Sequence, residues 1–189
     1  MLPNMVPRGS SRRLTADDWI EAGFAVLADS GPGALRIDPL CERLNVTKGS
    51  FYWHFTDMPA YRSALITAWA GLRDRNRRQF ADMPDVDPRE RLTVMFQTWV
   101  APQHWRLERA MRVWALTDEA VRASVQQSDG RVLRAIRQAF VDYGLAPEEA
   151  ALRSFVVFAA GVGLLHTTGS APAAPPDLHD RFLDFMLRP

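Results

Sequence analysis

Cysteine, lysine and long apolar runs are all scarce in this sequence. Cys41 is the single cysteine of 189 residues, which excludes an internal disulfide and a cysteine-based zinc site and favours a reducing compartment. No apolar run reaches the about 18 residues that a membrane-spanning helix needs, and the amino terminus lacks the order of basic, apolar and small residues typical of a signal peptide. We therefore expect a cytoplasmic protein with no membrane partner.

Lysine is the more unusual absence, because 22 of the 23 basic residues are arginine and only Lys48 is lysine. The net charge is +1. Residues 1–81 hold 11 basic and 8 acidic residues, for +3, whereas residues 82–189 hold 12 and 14, for −2. This asymmetry is mild, so electrostatics alone gives nucleic-acid binding only weak support.

Helical spacing, by contrast, is present in almost every segment. Thr15 and Asp18 form a capping-box pattern that begins the first helix, and the Gly31-Pro32-Gly33 sequence ends it. A second helix is predicted from about Arg36 to Leu44, and Asn45-Val46 then makes a tight turn. The hydrophobic content of 47% is typical of a globular protein.

The predicted fold class is all-α, with an amino-terminal three-helix head over residues 11–58 and a larger carboxy-terminal helical body over residues 59–189. The segment Met5-Val6-Pro7-Arg8-Gly9-Ser10 resembles a protease cleavage sequence, so the predicted fold begins at residue 11. A fourth helix opens at Asp57 and Pro59 and reaches about Phe80. Five more are predicted near 88–101, 103–115, 118–143, 147–168 and 177–188, which makes about nine helices.

Four arginines near the end of the fourth helix are interpreted as a solvated face that complements the helix dipole. They are Arg73, Arg75, Arg77 and Arg78.

The stretch TKGSFYWHF, residues 47–55, crowds aromatic rings behind the lone lysine. Aromatic content alone would favour a strand, but no partner strand is predicted, so a helix is better supported. Phe51 and Phe55, four residues apart, then share the inward face, while Tyr52 and Trp53 point outward. We expect Thr47 to cap this helix, with its hydroxyl accepting from the amide of Ser50.

The outward face of this short helix breaks local rules. Gly49 costs a helix about 1 kcal/mol relative to alanine, and exposed aromatic rings forgo burial. Such violations are expected where function lies. Lys48, Ser50, Tyr52 and His54 can all hydrogen-bond to phosphates or base edges, and helix, tight turn and second helix form the geometry of a helix-turn-helix.

Three groups of residues carry a family resemblance by their order and spacing. They are Ala22, Leu27 and Gly31 in the first helix, Leu40-Cys41 and Leu44-Asn45-Val46 in the second, and Thr47-Lys48-Gly49-Ser50-Phe51-Tyr52-Trp53-His54-Phe55 in the third. Over about residues 15–65 the chain resembles the DNA-binding head of the TetR family of bacterial transcriptional regulators. Beyond that region it resembles the family in length and helix number.

The resemblance implies that the second and third helices dock on double-stranded operator DNA, that the last two long helices build a homodimer, and that the body holds a small-molecule pocket. The implied DNA-binding residues are Arg36, Thr47, Lys48, Gly49, Ser50, Tyr52, Trp53 and His54.

Two departures from the family pattern affect this expectation. Met58-Pro59 stands where the family usually has a phosphate-binding lysine. Asp38 and Pro39 occupy first-turn positions where basic or neutral residues are commoner, so Arg36 is expected to carry more of the phosphate contact. Cys41 stands in place of a small buried alanine and is interpreted as packing.

Aromatic and methionine side chains of the body are candidates for the pocket wall, although core or dimer packing is the commoner role of such residues. Charges are few among them, which favours a mainly apolar or aromatic effector. The candidate pocket residues are Trp69, Trp99, Met111, Trp114, Phe155 and Phe158.

No catalytic, metal or cofactor site is predicted. A Cys41–His54 dyad lacks an orienting carboxylate, and the remaining histidines lack metal-ligand spacing. The leading hypothesis is a homodimeric, ligand-responsive regulator, a repressor, that binds a pseudo-palindromic operator and is released by a small, mainly apolar effector. The alternative is a DNA-bound architectural or protein-interaction factor of the same fold without an effector, and an enzyme is a distant third.

Overall fold

A computed structural model describes residues 14–81, 86–99, 102–166 and 178–188, without the side chains of residues 80, 81, 96–99, 102–104, 178 and 179. Within those ranges the chain forms nine α-helices and no strand. They are α1 (Ala16–Ser30), α2 (Ile37–Leu44), α3 (Lys48–His54), α4 (Met58–Ala81), α5 (Pro88–Trp99), α6 (Pro102–Trp114), α7 (Glu119–Tyr143), α8 (Pro147–His166) and α9 (Leu178–Met186). The all-α prediction, with its three-helix head, is confirmed.

The first helix begins and ends where the sequence predicts. The Thr15 hydroxyl accepts from the Asp18 amide, and the Asp18 carboxylate accepts from the Thr15 amide at 2.6 Å, which completes the capping box. At the other end Gly31 has φ of 75°, a conformation that glycine adopts without strain, and a short 3₁₀ turn over Pro32–Ala34 leads into α2.

The core of the head continues into α4. Trp19, Phe51 and Tyr61 are fully buried against one another, and the Tyr61 hydroxyl donates to the Trp19 carbonyl at 2.7 Å. Burial raises the pKa of the Tyr61 phenol, which therefore stays protonated as a donor. Gly23 allows this close approach, since a Cβ at that position would lie 2.2 Å from the Tyr61 hydroxyl.

A second contact joins the head to the body through the carboxylate of Asp29, near the end of α1. One oxygen lies 3.2 Å from Arg43 Nη1 on α2, and the other lies 2.8 Å from Arg106 Nη2 on α6. All three side chains are partly exposed, so the attraction is screened by solvent. The hydrophobic cluster beneath them is continuous and extends from α1 to Met111 on α6.

Four helices, α5, α7, α8 and α9, surround a separate hydrophobic cluster in the body. Leu92, Phe140 and Leu183 lie at its centre with almost no exposed surface. Arg153 on α8 donates to the backbone carbonyl of Met186 at 2.6 Å and so ties α8 to the end of α9.

Charged side chains lie enclosed between α4, α6 and α7. Arg112 donates to both carboxylate oxygens of Asp129, at 2.9 and 2.7 Å, and also lies 2.9 Å from buried Glu108. Arg73 completes this ionic cluster, 3.5 Å from Glu108 and with its side chain only 15% exposed. The prediction of a solvated face is therefore wrong for Arg73, because the buried Glu108 carboxylate requires a cation beside it.

The α8 helix leaves much apolar surface uncovered. Leu152, Phe155, Val156 and Leu164 are exposed along it, and Phe185 is exposed on α9. By length and composition alone α8 could cross a membrane, and only 22% of its most apolar window is buried. A single helix of this length and composition is only a weak indicator of a membrane span, because the core helix of a soluble protein can share both properties. An uncovered apolar face of this size more often marks a protein contact.

Candidate DNA interface

Two short helices and a tight turn form the candidate interface. Asn45 ends α2 in the left-handed conformation, with φ of 53°, and its amide donates to the carbonyl of Glu42 at 3.2 Å. Asparagine tolerates this conformation better than most residues, so the chain reverses there and α3 begins three residues later. Leu40 and Phe51, both fully buried, set the packing of α2 and α3. The arrangement is a helix-turn-helix.

The two faces of α3 divide as its sequence predicts. Phe51 is fully buried, with its ring centroid 5.5 Å from that of Trp19 in an edge-to-face contact. Tyr52 and Trp53, which follow directly, are 56% and 71% exposed. The predicted division of faces is confirmed for these three residues, since Phe51 packs inward and Tyr52 and Trp53 remain outside.

His54 and Phe55, the last two residues of the aromatic stretch, differ from the prediction in where the helix ends and in how exposed His54 is. The helix ends at His54, so Phe55 reaches the inward side as the capping residue, with its ring 4.9 Å from that of Tyr61. His54 is half-buried and its ring lies 6.4 Å from Trp19. It therefore lies at the edge of the outward face, where only part of its ring meets solvent.

Thr47 caps α3 differently from the prediction. It is the capping residue with extended backbone, but its side chain makes no capping hydrogen bond. The Ser50 amide donates to the backbone carbonyl of Thr47 at 3.0 Å instead. The predicted hydroxyl bond is wrong because the tight first turn brings the carbonyl to that amide. The Thr47 hydroxyl consequently remains on the exposed side of the head.

Gly49 lies on the same exposed side, and nothing within the described part of the protein requires a glycine there. A Cβ at Gly49 would meet only the Thr47 hydroxyl, at an ordinary 3.7 Å, and its backbone is not left-handed. Internal packing therefore gives no reason for this glycine, in contrast to Gly23.

Charges on this surface are partly neutralised. Lys48 Nζ lies 2.7 Å from Asp38 Oδ1, with the two side chains 63% and 62% exposed. The hydrogen bond and charge of Asp38 raise the pKa of the Lys48 ammonium, which therefore stays protonated. Arg36, the capping residue of α2, is also exposed. We refer to Lys48 and Asp38 as the recognition pair.

The matching family model is that of bacterial regulatory proteins of the tetR family, and it covers residues 20–60, the helix-turn-helix and its support. The amino-terminal head of the chain therefore carries the TetR-family helix-turn-helix. A search of curated proteins found no match. The matched head and the shared fold support a DNA-binding transcriptional regulator, and the prediction that the protein is not an enzyme is confirmed.

Solved structures share the fold over almost the whole chain. A transcriptional regulator from Rhodococcus sp. Rha1 has a TM-score of 0.73 at 18% identity, covering 92% of this chain and 94% of its own. Regulatory protein TetR from Rhodobacter sphaeroides has a TM-score of 0.58 at 22% identity, covering 90% and 95%. A TetR/AcrR-family regulator from Thermobifida fusca has a TM-score of 0.58 at 13% identity, covering 91% and 96%.

The candidate pocket residues that the structure describes are divided between two hydrophobic clusters and the exposed face of α8. Trp69, Met111 and Trp114 are buried in the cluster shared by head and body. Phe158 packs against the second cluster, whereas Phe155 is 61% exposed on α8. The side chain of Trp99 lies outside the described residues. A pocket wall formed by these six residues stays a prediction.

Sequence reasoning missed the salt bridges that connect helices of this protein. The sequence marks Asp38 only as an unusual residue, and its partner Lys48 becomes a neighbour through the packing of α2 on α3. One signal was available, since a lone lysine and an unusual aspartate lay in the first turns of adjacent helices. Asp29 gave no such signal, because Arg43 and Arg106 lie on other helices. Glu108 lies four residues before Arg112 on α6, but its second partner, Arg73, comes from the distant α4.

The single cysteine needs no functional role. Cys41 is a free thiol buried on α2, and burial, together with the nearby charge of Asp38, raises the pKa of that thiol. A protonated, buried thiol is unreactive, which supports the interpretation of Cys41 as a packing residue.

Proposed function

We propose that the protein is a transcriptional repressor that binds a pseudo-palindromic operator as a homodimer and is released by a small, mainly apolar effector. The observation that carries the DNA-binding part is the exposure of Tyr52 and Trp53 beside Lys48 and Gly49 at the start of α3. The first residues of a recognition helix meet base edges in the major groove, where rings, ammonium and a side-chain-free backbone can all approach DNA.

The proposed DNA-binding residues are those of the α2 start and the α3 surface. Arg36, Thr47, Lys48, Gly49, Tyr52 and Trp53 are exposed, and Ser50 and His54 are half-buried. Phosphate contacts from Arg36 would set the register of the head, and the α3 side chains would read sequence.

The apolar face of α8 and α9 supports the homodimer. Phe155, Leu152 and Phe185 are large side chains exposed on those two helices, and an isologous contact would cover them on both copies. Two-fold symmetry would place two α3 helices about 34–36 Å apart, one turn of B-DNA. Burial of α8 in such a contact also accounts for its apolar composition without a membrane, in keeping with a cytoplasmic location.

Effector release requires a body conformation with a different spacing of the two heads. A ligand that binds that conformation more tightly by a few kcal/mol would shift the population away from DNA. The scarcity of charged side chains among the aromatic residues of the body supports a mainly apolar ligand.

Selection of bound duplexes from a random pool tests this function. We expect one pseudo-palindromic sequence to be enriched, bound by two chains and weakened by salt, and a screen of apolar compounds should then find one that releases it. Absence of any sequence preference across salt concentrations would refute operator binding. The Trp53→Ala variant serves as the negative control for DNA binding, because it removes an exposed ring of the proposed DNA surface without disturbing the core.

An architectural or protein-interaction factor without an effector is the second candidate. The complete burial of Trp69 and Met111 in the core shared by head and body favours it, because solid packing leaves those two residues no room to line a cavity. This candidate predicts operator binding that no small molecule weakens.

A further inference from the structure

The recognition pair places opposite charges on the face that the proposed function assigns to DNA. Lys48 is the first residue of α3, and Asp38 lies in the first turn of α2, which crosses the DNA backbone in a helix-turn-helix. The 2.7 Å contact between Lys48 Nζ and Asp38 Oδ1 neutralises the only lysine of the chain at that point.

The recognition pair is not needed to hold α2 against α3. Leu40 and Phe51 already pack in the buried core, and the Val46 amide donates to the Cys41 carbonyl at 3.0 Å across the turn. Exposed ion pairs add little stability because water and salt screen them. The main consequence of Asp38 is therefore on the charge that α3 presents.

We propose that Asp38 is a specificity-determining residue that retains the Lys48 ammonium in non-specific complexes and releases it only to an acceptor fixed by the operator. This inference rests on the proposed DNA binding. In a non-specific complex Lys48 would meet phosphates at varying distances, and Asp38, already at hydrogen-bond distance, competes well. A guanine edge or a phosphate held in register offers a fixed acceptor that displaces Asp38.

The groups near the recognition pair indicate that Asp38 changes the availability of the Lys48 ammonium to DNA and leaves its charge unchanged. Asp38 raises the pKa of Lys48, so the ammonium remains charged, and the Cys41 thiol beside the pair is neutral because its own pKa is raised.

The test compares full-length Asp38→Asn with Glu42→Gln, a matched control that loses the same charge from an exposed position on α2 outside the recognition pair. Binding to the selected operator and to a random duplex is measured by fluorescence anisotropy over a range of salt concentrations. In Asp38→Asn we expect random-duplex affinity to rise about tenfold for a dimer and its logarithmic salt slope to steepen by about 2, one new phosphate contact per head.

Operator affinity should rise by less than about threefold in Asp38→Asn, with its salt slope unchanged, because Lys48 already contacts the operator in the wild type. The ratio of operator to random-duplex affinity therefore falls. Glu42→Gln should change neither slope. Asp38→Ser removes the same carboxylate and provides a second variant if Asp38→Asn folds poorly.

A double-mutant cycle with Lys48→Met shows whether Asp38 acts on DNA binding through Lys48. If Asp38 acts through Lys48, then adding Asp38→Asn to Lys48→Met should leave the random-duplex slope unchanged. A rise that persists without the lysine, an equal rise in Glu42→Gln, or no rise in Asp38→Asn would overturn the inference. Those results would leave operator binding intact, whereas a wild-type protein that prefers no duplex would refute the proposed function as well.

Discussion

Similar salt bridges occur in two regions of this protein under opposite conditions. The recognition pair lies on the surface of α2 and α3 with most of both side chains in water, whereas the ionic cluster lies between α4, α6 and α7 with Glu108 buried. An exposed pair exchanges partners readily, while an enclosed charge cannot lose its partner without a large penalty. The degree of burial therefore distinguishes the recognition pair, which is available to DNA, from the ionic cluster, which holds helices together.

The largest expected effect is the loss of an arginine from the ionic cluster. Arg112→Met leaves Glu108 and Asp129 with fewer partners in an enclosed site, so we expect a loss of about 3–5 kcal/mol in the free energy of unfolding. Lys48→Met should leave chemical denaturation unchanged and weaken operator binding instead. The comparison of the two regions fails if both variants lose similar stability.

Two glycines distinguish packing from function in the same way. Gly23→Ala brings a methyl group 2.2 Å from the Tyr61 hydroxyl and 2.8 Å from Leu65, so we expect a loss of about 1–3 kcal/mol of stability. Gly49→Ala makes only an ordinary 3.7 Å contact with the Thr47 hydroxyl, so it should instead stabilise the isolated protein by up to about 1 kcal/mol while weakening operator binding. Thermal denaturation and DNA titration of both variants decide the matter, and normal operator binding by Gly49→Ala would contradict our assignment of that surface.

The outward rings provide a third comparison, with no large effect on folding. Trp53→Ala should keep the free energy of unfolding within about 0.5 kcal/mol, since the ring is exposed, and should reduce operator affinity by at least about tenfold. A Trp53→Ala protein that unfolds more easily but binds DNA normally would place that ring in a structural role.

The face division of α3 was predictable because a helical period assigns each residue a side independently of the rest of the chain. Phe51 and Trp53 follow that rule. The predicted cap of Thr47 was wrong, because its hydroxyl and its backbone carbonyl compete for the same Ser50 amide. The carbonyl accepts that hydrogen bond. Arg73 was wrongly assigned to a solvated face, since its partners Glu108 and Asp129 come near it only when α4, α6 and α7 have packed.

The smallest expected effect concerns Asp74 on α4. Hydrogen bonds from Arg78, and then from Arg131 and Arg77, lower the pKa of that carboxyl from 3.8 to about 2. A lowered pKa contributes stability that is present above about pH 4 and is lost as the pH falls towards 2. Acid titration followed by circular dichroism should show a shallower loss over that range for Asp74→Asn than for the wild type, and identical curves would mean that these arginines contribute no net attraction.

The hydrogen bond from Tyr61 to the Trp19 carbonyl has a mechanical consequence. It fixes the first turns of α4 to α1, so the head and the start of α4 can move only together. The 24 residues of α4 span about 36 Å, and a tilt of about 5° at its far end therefore displaces the head by about 3 Å. That displacement is close to the separation of neighbouring base pairs, so a small rotation inside the body would be enough to put the two heads of a dimer out of register with successive grooves.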